Sequence, residues 1–222
     1  MSKLMKAFGA LLSNVDPDRV SQATIDWINQ HPSEAGVEVT KWLANGCRLI
    51  VGEPKVIKLD PSKKFDPAEF IGAGWTIWKG PADGDGLKGK EEIDERSLAL
   101  TEVDLSKVIL ETCLKQGESS IRGEEKLARF KALAQTIRLG GNAFLALWED
   151  YKINKENSCL EWLRRNREVT YVDFMGLVLR NPHGDRCVLF LYFYGGRWGW
   201  LYSWLGRDWD ARRLSAGLAS QD

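Results

Sequence analysis

Tryptophan is concentrated near the C-terminal end of this 222-residue chain, where four of its ten tryptophans lie within twelve residues. Trp198 and Trp200 are two residues apart, so their rings share one face if the segment is a β-strand. The residues between and after the four rings are small, polar or charged. This pattern predicts either a scaffold of fixed rings that holds up the intervening residues as a display surface, or an ordinary antiparallel core. The four rings are Trp198, Trp200, Trp204 and Trp209.

Charge and cysteine content disfavour several classes of protein, although a net charge of zero is compatible with a local basic patch. The formal net charge is zero and 28% of the residues are charged. These values are typical of a soluble globular protein and disfavour wholesale binding to nucleic acid or anionic membranes. The four cysteines form no C-x-x-C pair, so neither a zinc ribbon nor thioredoxin chemistry is indicated. We see no signal peptide or transmembrane segment and expect a cytoplasmic or phage-associated protein with free thiols.

Periodicity changes along the chain. Residues 1–46 have helical spacing of apolar positions, which predicts an N-terminal helical region, and strand signals begin after Gly46. Three further helices are predicted, over residues 124–133, from Gly140 onward and over residues 156–166. The remaining segments predict strands separated by turns at Asn181–Asp185 and at Gly195-Gly196. These strands cover residues 49–51, 56–59, 70–78, 97–104, 107–113, 170–174, 177–180, 187–194, 197–204 and 214–218.

Residues suited to catalysis or metal binding are few. The two histidines, His31 and His183, both lie beside turns, and no nucleophile or metalloprotease motif is present. The loop at 83–86 and the turn at 181–183 each supply too few oxygen ligands for calcium. The sequence therefore predicts a binding protein that is not an enzyme and has no cofactor. An enzyme with an unrecognised site remains an alternative.

Several segments together resemble a known family. They include Trp198-x-Trp200, Trp204-Leu205-x-x-x-Trp209 and the closing residues 215–219, with residues 70–83, 96–102 and 144–148. Helices placed before a run of short strands complete the pattern. The chain thus resembles the variable proteins of diversity-generating retroelements, which have a C-type lectin fold of the formylglycine-generating-enzyme-like subtype. The resemblance spans most of the chain.

The resemblance implies that the 3′ end of the gene is diversified by copying from a template with scrambled adenines. Codons altered in this way retain a pyrimidine at the third base and cannot encode Lys, Glu, Gln, Trp or Met. No Lys, Glu or Gln occurs between Thr170 and Ser220, as such a mechanism predicts. The chain departs from calcium-dependent lectins at Asn181-Pro-His183 and at Trp209-Asp210. It departs from formylglycine-generating enzymes because Cys187 is the only cysteine of the C-terminal strands.

We therefore expect an α+β chain in which residues 1–46 form a helical extension and residues 47–222 a C-type lectin-like domain. Its hypervariable region covers about residues 186–220. The expected function is calcium-independent binding of a macromolecular target, with a protein favoured as the target and a monomer as the oligomeric state. The alternative is a Trp-rich carbohydrate-binding or adaptor domain without diversification. The candidate binding residues are Tyr194, Arg197, Gly199, Leu201, Tyr202, Ser203, Gly206, Arg207, Asp208, Asp210, Arg212 and Arg213.

Three structural expectations follow from this hypothesis. The side chains of Trp75, Trp78, Phe144 and Trp148 should be largely buried. Four candidate binding residues, Leu201, Tyr202, Arg207 and Arg212, should lie together on one exposed face. The four C-terminal tryptophans should be mostly scaffold, so that Trp200 and Trp204 are core positions, whereas Gly199, Leu201, Ser203, Arg207 and Arg213 should tolerate substitution.

Overall fold

The computed structural model describes residues 21–44, 55–80 and 90–220, and the chain divides into two compact units, Met1–Leu49 and Ile50–Asp222. In the first unit, helix α1 (Gln22–Gln30) is followed by α2 (Pro32–Ala44). Pro32 begins α2, where a missing N–H costs nothing. His31 lies between the two helices, which is consistent with its prediction as a turn residue, and its ring stacks on that of Trp27 in α1. The first 20 residues of the predicted helical region and the strand predicted over residues 49–51 lie outside the described residues.

The second unit mixes short strands with five α-helices in its described part. The helices are α3 (Pro67–Phe70), α4 (Glu95–Leu98), α5 (Gly123–Ala132), α6 (Gly141–Asn154) and α7 (Cys159–Arg167). Acidic residues begin α5 and basic residues end it, as the helix dipole favours. The strands are β1 (Val56–Lys58), β2 (Thr76–Ile77), β3 (Glu102–Asp104), β4 (Ile109–Glu111), β5 (Ser120–Arg122), β6 (Thr136–Arg138), β7 (Tyr171–Asp173), β8 (Leu179–Arg180), β9 (Arg186–Tyr194), β10 (Arg197–Trp204), β11 (Asp208–Asp210) and β12 (Leu214–Ala219).

One eight-stranded sheet organises the second unit. Its strand order is β2-β8-β9-β7-β12-β4, with β10 paired to β9 and β6 paired to β12. The β9 and β10 strands are antiparallel along their whole common length. Two small ribbons, β1 with β3 and β11 with β5, complete the described strands. The last strand of the chain, β12, therefore lies inside the sheet, between β7 and β4.

Successive side chains of β9 contribute to two different hydrophobic clusters. Cys187, Leu189 and Leu191 belong to the larger cluster, which contains residues of α6 and α7. Val188 belongs to a second cluster that includes Phe130 of α5. Alternate residues of a strand project to opposite faces of the sheet, so apolar residues cover both sides of β9 at this end. This burial on both faces explains why the sequence of β9 is almost continuously apolar.

The structure is mixed α+β, as expected, and the three predicted helices of the second unit are confirmed. The predicted strands over residues 70–78 and 97–104 are wrong at their first halves. Asp66 Oδ1 accepts hydrogen bonds from the backbone N–H groups of Ala68 and Glu69 and thereby caps α3. Gly72 and Gly74 have φ values of +143° and +85°, which end the helix in a turn before β2. Residues 95–98 form α4, and only residues 102–104 are strand.

The burial of the four aromatic side chains predicted from the sequence is observed with one exception. Trp75 and Trp78 are buried and Phe144 is fully buried, as predicted. Trp148 is only partly buried, and its ring packs beside that of Tyr151. Helical periodicity places Trp148 on the inward side of α6, but it cannot indicate how far the covering elements extend.

Candidate functional site

The candidate binding residues lie on the β9–β10 hairpin and in the chain that follows it. Gly195 and Gly196 have φ values of +58° and +79°, as both central residues of a type I′ turn require. This turn pairs Tyr194 with Arg197 and sets the register as far as Trp204 opposite Cys187. Even-numbered residues of β10 consequently face the same side as Cys187, Leu189, Leu191 and Phe193 of the larger cluster. Odd-numbered residues face the opposite side.

Burial decreases along the even-numbered face of β10. Trp198 is only 2% exposed, and its Nε1 donates a hydrogen bond of 3.0 Å to Oε1 of buried Glu161. Trp200 is half-buried, with its ring centroid 4.7 Å from that of Phe70. Tyr202 is exposed although its ring centroid lies 4.4 Å from that of Trp75.

Trp204 ends this face with 44% of its surface exposed, so the prediction that it is a core residue is wrong. The prediction for Trp200 holds only in part, because its side chain is half-buried. Trp198 and Trp209 are the two C-terminal tryptophans that are fully scaffold. The period of a strand predicts which residues share a face, whereas their burial depends on the elements that cover each position.

On the odd-numbered face, two residues of β10, Gly199 and Leu201, lie opposite aromatic residues of β9. Gly199 lies opposite Tyr192, and a Cβ at Gly199 would approach the Tyr192 ring to 3.0 Å. Leu201 lies opposite Phe190 and is exposed. Tyr171 of β7 stacks on both Phe190 and Tyr192, with centroid distances of 6.1 and 6.2 Å. This face therefore carries a row of aromatic rings, whose members other than Phe190 are partly open.

Leu201 and Tyr202 are adjacent on β10, so they project to opposite faces of the sheet. The prediction that Leu201, Tyr202, Arg207 and Arg212 lie on one face is therefore wrong, although all four are exposed. Because β10 pairs only with β9 among the described strands, both of its faces and its outer edge meet solvent near these residues. The exposed candidates thus surround an edge strand and do not form a single flat patch.

A buried ion cluster supports the odd-numbered face. The side chains of Lys126 and Asp173 are both 0% exposed, and Lys126 Nζ lies 3.5 Å from Asp173 Oδ2. Lys126 also donates a hydrogen bond of 2.6 Å to the backbone oxygen of Arg213. The Arg213 guanidinium donates to Asp173 and lies 4.2 Å from the ring centroid of Phe190 and 4.3 Å from that of Trp209. Burial lowers the pKa of Lys126, and the Asp173 carboxylate opposes this shift.

Arg213 is consequently an internal anchor, and the exposure on which its predicted tolerance to substitution depended is wrong. Its ion pair with Asp173 is largely buried, with 15% of the Arg213 side chain exposed. Lys126 and Asp173 were missed by sequence reasoning, although Lys126 lies four residues before buried Phe130 and so shares its helix face. Leu133, the last residue of the helix predicted over residues 124–133, is exposed. The sequence signal for a buried lysine was therefore its helical spacing from the core aromatic residue Phe130.

The chain after β10 forms the far end of the site. The Arg212 side chain donates a hydrogen bond of 2.7 Å to Asp210 Oδ2, which holds the pKa of Asp210 below its ordinary value. A shallow cavity of about 200 Å³ lies here, lined by Tyr171, Asp208, Trp209, Asp210, Arg212 and Arg213. A Cβ at Gly206 would meet the Trp204 ring at 2.8 Å, so Gly206 packs beneath that ring.

The twelve candidate binding residues separate into two groups by exposure. Gly199, Ser203, Gly206, Asp210 and Arg213 are half-buried. The other seven are exposed and lie on the β9–β10 hairpin and in the segment from Arg207 to Arg212; we call them the display surface. They are Tyr194, Arg197, Leu201, Tyr202, Arg207, Asp208 and Arg212.

Three features of the described residues bear on metal binding and thiol chemistry. The described residues contain no cluster of three or more His, Cys, Asp or Glu side chains that could hold a metal. Asn181 Oδ1 accepts hydrogen bonds from the N–H groups of His183 and Asp185, so it is engaged within its own turn. Burial raises the pKa of Cys159 and of Cys187 to about 12, which keeps both thiols protonated. The loop at 83–86 lies outside the described residues.

None of the described helices has the length and apolar content needed to cross a membrane. Comparison of the chain with protein-family models, with curated proteins and with solved structures finds no significant match. The residues and their geometry are therefore the basis for assigning a function.

Proposed function

We propose that this chain is a ligand-binding protein whose display surface contacts a macromolecular target, with a protein favoured as the target. In this proposal residues 47–222 form a C-type lectin-like domain and the C-terminal positions are diversified by a retroelement. Two helices, α6 and α7, precede the C-terminal strands and pack with them in one cluster, an arrangement that supports the fold assignment.

The exposure of large side chains around β10 is the observation that carries this proposal. Tyr194, Leu201 and Tyr202 are exposed, and Tyr194 has 77% of its surface open. Two arginines, Arg207 and Arg212, are exposed close by in sequence. Tyrosine offers rigid contact area and arginine adaptable hydrogen bonds, and both are enriched among residues that dominate binding energy at interfaces. Exposed aromatic and aliphatic side chains concentrated on one element favour a contact site.

The buried scaffold residues are distinct from the residues of the display surface, and this separation supports diversification. Trp198 and Trp209 are buried, and the Lys126–Asp173–Arg213 cluster holds the chain after β11 against the sheet. Substitution at the exposed positions leaves these contacts intact. A surface of this kind can vary in sequence at little cost in stability, as repeated diversification requires. The flanking DNA provides an independent test, because a reverse transcriptase gene and a near-repeat differing only at adenines should accompany the gene.

Randomising Leu201, Tyr202, Arg207 and Arg212 with codons that end in a pyrimidine should yield mostly folded proteins. Exposed positions usually change the free energy of unfolding by less than about 1 kcal/mol, which urea denaturation would measure. We expect selection against a panel of unrelated folded proteins to recover specific binders. A control library at Val188, Leu189, Leu191 and Trp198 should be mostly unfolded. Folded display variants that never yield a binder would contradict the proposal.

Carbohydrate binding by ring stacking is the second candidate function. Its support is the row formed by Tyr171, Phe190 and Tyr192. One member of this row, Tyr171, lines the cavity together with Asp208 and Arg212. Aromatic rings next to carboxylate and guanidinium groups suit a sugar. In this case the protein should bind a glycan array, and Tyr192→Ala should weaken binding by about 1–2 kcal/mol. The matched variant Tyr202→Ala, on the opposite face, should leave sugar binding unchanged, and equal losses in both variants would exclude this site.

A further inference from the structure

The outer edge of β10 offers hydrogen-bonding groups that the described chain does not use. In an antiparallel hairpin closed by a two-residue turn, Tyr194 and Arg197 form a hydrogen-bonded pair, and such pairs recur at every second residue. The backbone groups of odd-numbered residues in β10 therefore face β9. The hydrogen bond of 2.9 Å from Leu205 N–H to Arg186 O continues this pattern beyond the strand. The backbone groups of even-numbered residues consequently face outward.

Two outward groups at the ends of β10 have partners. The Trp198 N–H donates a hydrogen bond of 3.1 Å to the Tyr151 hydroxyl, and the Trp204 oxygen accepts one of 3.2 Å from the Arg207 N–H. Between these ends, the backbone N–H and C=O of Trp200 and Tyr202 have no partner in the described chain, and neither has the Trp204 N–H. They form a short row that could pair with another strand.

The edge also lacks the features that usually prevent such pairing. Natural edge strands are protected by lysines, prolines, bulges or inward-pointing charges. Residues 198–204 contain neither a charged residue nor a proline, and the β9–β10 pairing is continuous without a bulge. Leu201, Tyr202 and Trp204 are exposed on the two sides of this edge. An open edge flanked by exposed large side chains is the form of site that receives an extended peptide.

We propose that the target inserts an extended peptide segment as a new strand along the outer edge of β10. This inference rests on the proposed binding function. The segment is apolar at its centre and acidic towards its ends. This chemistry follows from Arg197 and Arg207, which are exposed at the two ends of the edge and whose guanidinium groups make no ion pair within the described chain. Acidic residues of the peptide would meet these two guanidinium groups.

A second copy of the chain fits this edge less well. A second copy would bring Arg197 and Arg207 to an edge that already carries the same two arginines, and it would place them opposite each other when the antiparallel strands are centred on Tyr202. Like charges that lie opposite each other destabilise a sheet. Residues 197–207 of the chain contain no acidic residue that could relieve this repulsion.

Pairing along the edge would also accommodate a diversified protein. Backbone hydrogen bonds do not depend on side-chain identity, so they would supply affinity whichever residues occupy the variable positions. Leu201 and Tyr202 flank the edge on its two faces, so their side chains would set specificity for successive residues of the bound segment. The placement of these two residues on opposite faces is therefore compatible with one binding site.

Peptides selected on the purified protein from a random heptapeptide library displayed on phage provide the probe. We expect acidic residues near the peptide ends and micromolar or tighter binding. N-methylation of the peptide backbone should weaken binding about tenfold or more at alternate positions and have little effect at the positions between them. A protein variant completes the test: Tyr202→Pro removes an outward N–H, whereas Tyr202→Ala removes only the side chain. Tyr202→Pro should bind about tenfold more weakly than Tyr202→Ala.

Three results would overturn the edge proposal. They are failure to select any peptide, uniform effects of N-methylation along the peptide, and a concentration-dependent dimer of the free protein measured by light scattering. The peptide scan does not depend on the folding of the Tyr202→Pro variant. If the scan is uniform but Leu201→Ala and Arg207→Ala abolish binding, the display surface binds without strand addition and the proposed function survives. If these alanine variants and Tyr202→Ala leave binding unchanged, the proposed function itself fails.

Discussion

Asp173→Ala is expected to lower the free energy of unfolding by about 3–5 kcal/mol. The side chains of Asp173 and Lys126 are both 0% exposed, and the Asp173 carboxylate also accepts hydrogen bonds from Arg213. Its removal would leave one buried ammonium and one largely buried guanidinium without their counter-charge. Urea denaturation followed by tryptophan fluorescence would measure the loss.

Asp210→Ala is the matched control for this prediction. Asp210 also pairs with an arginine, but the side chains of Asp210 and Arg212 are 43% and 76% exposed. Solvent screens such a pair, so we expect a loss below about 1 kcal/mol. Similar losses for Asp173→Ala and Asp210→Ala would mean that the buried cluster is not an anchor. A large loss at Asp173 alone would support the assignment of Arg213 to the scaffold.

Trp198→Ala is expected to cost about 3–5 kcal/mol in the free energy of unfolding. The substitution would open a cavity among Phe193 and the neighbouring core residues and remove the hydrogen bond to buried Glu161. Thermal or urea denaturation of the purified variant would test this value.

Trp204→Ala, six residues along the same face, should cost less than about 1.5 kcal/mol because the Trp204 side chain is half open to solvent. Both variants remove an indole from the same strand, so a difference between their losses in the free energy of unfolding reflects the position of the residue and not its type. If the loss at Trp204 equals that at Trp198, Trp204 belongs to the scaffold. The display surface would then exclude that end of β10.

An edge strand would allow the proposed binding site to be large and yet to tolerate variation. The hairpin is held on one side by Trp198 and its contacts and on the other by the rings of Phe190 and Tyr192. The exposed side chains project beyond these contacts, so their replacement removes little packing. A target would meet side chains from both faces of β10 together with its backbone. Binding energy and stability would then reside in different atoms of the same strand.

Local chemistry determined those parts of the structure that depend on neighbours in sequence. The Gly195-Gly196 turn, the strands beside it and the helices α5 to α7 were predictable because turn geometry and apolar period act over a few residues. The shared face of Trp198 and Trp200 followed in the same way. The sequence also indicated that Trp75, Trp78 and Phe144 are buried.

Tertiary structure alone decided which of these residues meet solvent and which charges meet each other. Trp198 and Trp204 lie on the same face of β10, but only Trp198 is covered by core residues. The ion cluster joins Lys126, Asp173 and Arg213 across 47, 40 and 87 residues of sequence. Backbone sterics set the direction of a side chain locally, whereas burial and charge pairing depend on distant elements that no local pattern specifies. The anchoring role of Arg213 and the open edge of β10 were therefore beyond the reach of sequence reasoning.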